Sequence, residues 1–82
     1  MIDGIDALRR AKTAADPWKE LNIAAQNFRF ATKNKIGYRA EALHIVESAI
    51  ATHPDKITLD RMIDDAIAKA EKGAAAGHRA GR

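Results

Sequence analysis

Cysteine is absent from this 82-residue chain, and so is any long apolar run. The first absence excludes disulfides and cysteine-based zinc knuckles, the usual reinforcements of a small scaffold. The second excludes a helix able to cross a bilayer. Aromatic residues are few: two Phe, one Trp and one Tyr. No glycine pattern of the P-loop or dinucleotide type is present, which leaves nucleotide-driven chemistry without support and implies no cofactor. The opening residues, Met1-Ile2-Asp3-Gly4-Ile5-Asp6, are acidic, lack the basic flank and apolar centre of a secretory signal, and contain no lipidation motif. A cytoplasmic location follows as the expectation.

A chain of this size has room for one domain, which buries only about 60% of the surface its unfolded form exposes. Regular helix packing or oligomerisation must supply the remaining stability, and a homodimer is the simplest form of the latter.

What is present is charge, unevenly placed. Residues 1–40 carry eight Lys and Arg against four Asp and Glu, residues 41–72 carry four against seven, and Arg79 and Arg82 complete the formal net charge of +3. A basic half joined to an acidic half can orient on a polyanion or stack head to tail on its own copies.

Four helices are predicted. Asp3 is a good N-cap for the first, in which Ile5, Leu8, Ala11 and Ala15 recur at helical spacing. Asp16-Pro17 is the sharpest boundary, since Asp caps well and proline at the first helical position loses no hydrogen bond. The second helix runs from there to about Lys33, with Trp18, Leu21, Ala24, Ala25, Phe28 and Ala31 as its core stripe. Ile23 and Phe30 lie on nearly the opposite side. Such a helix is either sandwiched within its own domain, with the first or fourth helix covering Ile23 and Phe30, or shares that side with a second molecule, and internal burial is the commoner outcome.

Asn34 and Gly37 favour a helix end. The third helix follows from about Tyr38 to Thr52, with Tyr38, Ala42, Leu43, Ile45, Val46, Ala49 and Ile50 inward and Glu41, His44, Glu47 and Ser48 outward. His53-Pro54-Asp55 is a turn, because the residue before proline is pushed out of the helical region. Thr58 is the expected cap of the fourth helix, with Ile57 and Met62 at the two staple positions. Leu59, Met62, Ile63, Ala66, Ile67 and Ala70 form its apolar face, and Gly73 ends it. The fold class is therefore all-α: a small bundle of four short helices over residues 1–72, with a disordered basic C-terminal tail over 73–82.

Several constellations suggest chemistry and fail on its requirements. Glu41, His44 and Ser48 share one helix face, but a convex face activates no nucleophile and orients no oxyanion donors. Glu41-x-x-His44 matches half of a carboxylate-bridged metal site, and a second copy is missing from the chain. His53 and His78 do not converge on His44. Gly73, Gly77 and Gly81 are spaced as in membrane helix packing but stand in a polar segment. No catalytic residue, metal or small-molecule substrate is therefore expected, and an enzyme is not.

One stretch carries a binding chemistry. Between Asn27 and Ala40 lie Arg29, Lys33, Lys35 and Arg39, without an acid, interleaved with Phe28, Phe30 and Tyr38. Phe28 and Tyr38 belong to core stripes, so the junction is chiefly four cations around a helix turn. Neither a helix-turn-helix, where Lys33 occupies the position of a small packed residue, nor a ribbon-helix-helix, which needs two helices after its strand, fits the pattern. The functional expectation is a small nucleic-acid-binding accessory or regulatory protein, contacting phosphates through Arg29, Lys33, Lys35 and Arg39 with diffuse help from Arg9 and Arg10. The alternatives are a protein-binding adaptor or inhibitor acting through Ile23 and Phe30, flanked by Lys19, Gln26 and Asn27, and a self-assembling structural subunit.

Overall fold

A computed structural model of the chain describes residues 3–33 and 39–79, residues 72–79 by their backbone alone. It holds four helices, α1 (Gly4–Ala11), α2 (Pro17–Lys33), α3 (Ala40–Thr52) and α4 (Lys56–Arg79), and no strand among the described residues. The all-α bundle expected from the sequence is what forms. No helix is long and apolar enough to cross a membrane among the described residues.

The helices form a ring in which α1 packs on α2, α2 on α3, α3 on α4 and α4 back on α1. Neighbours run antiparallel. Near one end of α1, Gly4 meets Phe28 late in α2, and near the other Arg10 reaches Glu20 early in α2. Arg9 likewise pairs with Glu71 late in α4, and Lys12 with Asp64 earlier in it. Lys69 pairs with Glu41 across α4 and α3. The 24-residue α4, about 36 Å at 1.5 Å per residue, accounts for most of the 41 Å long axis.

The core sits at the centre of this ring, and more than half of its fully buried apolar residues are alanines. Phe28, Leu8, Leu21, Ile63 and Val46 supply its bulk. The stripes predicted for α2, α3 and α4 are the ones buried, with Trp18, Leu43, Ile45, Ile50, Met62 and Ile67 half-buried at its margin. Tyr38 lies outside the described residues, as do Asn34 to Gly37.

The helix ends follow the expected local chemistry at some positions and depart from it at others. Asp3 caps α1, its Oδ1 accepting from the Ile5 N–H at 3.0 Å. Asp16 accepts from the Lys19 N–H, and α2 begins at Pro17 as expected. The first helix is shorter than its apolar spacing implies. The Thr13 and Ala14 N–H groups both turn back on the Arg10 carbonyl, and Ala15 is exposed. The chain must leave the helix there to present Asp16 as the next cap.

α4 begins two residues before its expected cap at Thr58. Asp55 takes the role: its carboxylate accepts from the Thr58 N–H and its carbonyl from Leu59, both at 2.8 Å. Aspartate caps better than threonine, so the earlier start wins. The staple positions thereby shift to Pro54 and Leu59, and Ile57, expected to be one of them, is 69% exposed. At the far end α4 passes Gly73 and continues to Arg79. Ala74, Ala75 and Ala76 are the strongest helix formers and carry no penalty of their own, so the roughly 1 kcal/mol of helix propensity lost at Gly73 is not compounded by the three residues that follow it.

Candidate nucleic-acid interface

The described cations of the junction, Arg29, Lys33 and Arg39, do not act as one cluster. Arg39, just before α3, turns inward: its side chain is only 14% exposed, Nη1 donates to Asp3 Oδ1 at 2.9 Å, and the guanidinium lies 5.5 Å from the centroid of the Phe28 ring. Its Nε is buried and has no acceptor among the described residues. Burial pushes the Asp3 carboxyl upward, but the Ile5 N–H and the Arg39 charge outweigh it and hold the pKa below its ordinary value. Arg39 thus clamps the start of α1 to the start of α3. Arg29, one turn before the end of α2, is exposed and donates through Nε to Glu47 Oε2 at 3.2 Å. Lys33 is exposed at the last position of α2. Lys35 lies outside the described residues.

The two cations of α1 point to opposite neighbours. Arg9 bridges Asp6 and Glu71, while Arg10 reaches Glu20. Lys12 follows them at the end of α1, donating to Asp64 at 2.6 Å, a bond that raises its pKa. These contacts stitch α1 to α2 and α4. All are at the surface, where each ion pair contributes only about 0–1 kcal/mol and yields to a competing anion.

A feature that the linear run conceals becomes visible on α2. The exposed residues of this helix are Lys19, Asn22, Gln26, Arg29, Phe30, Thr32 and Lys33. It alone, among the four helices and the described side chains, exposes no acid. Lys19, Asn22, Gln26, Arg29 and Lys33 follow at steps of three, four, three and four, which places them in one row along the helix. Cations stand at both ends of the row and amides in its middle. Acids border it on three sides: exposed Asp16, the cap before α2, accepts from the Lys19 N–H, Glu47 on α3 holds Arg29, and half-buried Glu20 holds Arg10. Dense charge along the chain marks residues 29–39, whereas Lys19, Asn22 and Gln26 join the row only at helical spacing.

Beside the row, Ile23 and Phe30 part company. Ile23 is half-buried and packs against the core, so the internal burial expected for it is realised in part. Phe30 is 55% exposed, so the cover expected from α1 or α4 is incomplete; α1 packs on the other side of α2, at Phe28.

At the opposite end of the bundle, His53 takes the left-handed conformation, φ 45°, with Pro54 barring the right-handed helical region. Its ring stacks on Trp18, centroids 4.0 Å apart and planes 21° from parallel. Neither the apolar stripe that contains Trp18 nor the turn that contains His53 announces this contact. Glu41, His44 and Glu47 are exposed on α3 and Ser48 is half-buried; no group of three potential metal ligands converges among the described residues. No protein-family model, curated protein or solved structure matches the chain.

Proposed function

We propose that the protein binds nucleic acid, as a small accessory or regulatory factor, along the outer face of α2. The observation that carries this reading is the acid-free row Lys19, Asn22, Gln26, Arg29 and Lys33 on a helix surrounded by mixed-charge surfaces. Cations spread over about 21 Å are suited to a repeating phosphate charge. Arg39 contributes by fixing α3 to α1 rather than by direct contact, and Arg9 and Arg10 by diffuse attraction.

The reading has a numerical signature. Three phosphates met by Lys19, Arg29 and Lys33 give a slope of about −2.7 for log affinity against log salt on duplex DNA. Titration of labelled oligonucleotides at low and rising salt measures it. Lys33→Glu should lower affinity and flatten the slope by about one. Absence of binding at low salt to duplex and single strands alike refutes the proposal.

The exposure of Phe30 beside half-buried Ile23 favours a second reading, a protein-docking face. Phe30→Ser separates the two, since it should abolish protein capture and leave the salt slope on nucleic acid intact.

A further inference from the structure

Resting on the nucleic-acid reading, the geometry points to a more specific ligand: we propose that α2 enters the major groove of duplex DNA and reads adenine through Asn22 and Gln26. Carboxamides present an acceptor and a donor side by side, the complement of adenine N6 and N7, and both side chains occupy the middle of the exposed row. Asn22 is already oriented. Its Nδ2 donates to the Trp18 carbonyl at 3.0 Å, which fixes the amide and leaves Oδ1 and the second N–H uncommitted. The two amides are four residues apart, about 6 Å along the axis, which spans roughly two base steps at 3.4 Å each.

The flanking charges fit the same placement. Lys19 lies one turn before the amides, and Arg29 and Lys33 lie one and two turns after them, where a helix in a groove meets the phosphates on either side. An α-helix with its side chains is about 10–12 Å across, and the B-form major groove is about 12 Å wide. The deep, narrow major groove of A-form RNA excludes it. A single-strand site needs a succession of aromatic platforms, and the row itself contains none. Arg29 must exchange Glu47 for a phosphate, which an exposed pair permits.

The test compares a 20-base-pair DNA duplex of mixed sequence, its single strands and the matching RNA duplex by fluorescence anisotropy, followed by selection from random DNA duplexes. The expected result is preference for DNA duplex and an adenine-containing core, each amide discriminating roughly 5- to 150-fold. Asn22→Ala with Gln26→Ala should erase the sequence preference while keeping the salt slope and, by circular dichroism, the helix content. Equal binding of single strands or RNA duplex, or a sequence preference unchanged in the double variant, overturns the major-groove inference while salt-dependent binding sensitive to Lys33→Glu leaves the broader reading standing. No binding of any kind removes both.

Discussion

Replacing Gly4 by alanine sets two principles against each other. Gly4 opens α1, and its φ is not in the left-handed region, so helix propensity alone expects alanine to stabilise by about 0.5–1 kcal/mol. Packing expects the reverse. A Cβ at this position would lie 2.5 Å from Phe28 Cε1 and 2.9 Å from both Phe28 Cδ1 and Asn27 Oδ1. The Asn27 amide can rotate away. The Phe28 ring cannot easily do so, because it is fully buried and has the Arg39 guanidinium over its face. Overpacking of this kind costs about 1–3 kcal/mol, so after the propensity gain the net loss should centre on about 1 kcal/mol. With a urea m-value near 1 kcal/mol/M for a chain of this size, the midpoint followed by circular dichroism should fall by about 1 M. The same substitution in a Phe28→Leu background, where Cε1 is gone, should show a much smaller penalty. A midpoint that rises in the Gly4→Ala variant, or a penalty unchanged in Phe28→Leu, would show the close approach of α1 to α2 to be wrong.

Other expectations follow from single contacts. Asp3→Asn removes the carboxylate that Arg39 and the Ile5 N–H hold below its usual pKa. That stabilisation is present above the unfolded value near 3.9 and lost as pH falls through the lower folded one, so the urea midpoints of the two proteins should differ at neutral pH and converge in acid, below the ordinary carboxylate range. Glu47→Gln frees Arg29 and should tighten nucleic-acid binding roughly 1.5- to 5-fold at low salt, and a loss of affinity in anisotropy titrations would exclude Arg29 as a contact. His53→Gly relieves about 1–2 kcal/mol of left-handed strain and gives up about 0.5–1.5 kcal/mol of stacking. Its thermal midpoint should therefore move little, whereas the emission of the single tryptophan should change; unaltered emission would contradict the Trp18–His53 stack.

The parts of the fold legible in the sequence are those fixed by local rules. Asp16-Pro17 places the start of α2 because capping and proline geometry act on neighbouring residues. The inward stripes of α2, α3 and α4 follow from period alone. What escapes depends on competition or distance. Thr58 loses the start of α4 to Asp55 because a stronger cap stands three residues earlier, and Ile57 is exposed as a result. Gly73 fails to end α4 because three alanines follow it. The candidate site is half visible: Arg29 and Lys33 stand out by local charge, but Lys19, Asn22 and Gln26 join them only once the helix is drawn. Arg39 has the local setting of a phosphate contact, and only the fold brings Asp3, far away in sequence, against it.

The preponderance of alanine at the centre of the ring reaches beyond packing, into calorimetry. Heat capacity of unfolding rises with the apolar area released, and a methyl side chain releases little. The chain should thus fall below the roughly 12–15 cal/mol/K per residue of average domains, giving a shallow, broad stability curve. Cold should weaken it only slowly. On the warm side a shallow curve crosses zero at a low angle, so that a bound ligand or one altered contact displaces the melting temperature by several degrees for each kcal/mol.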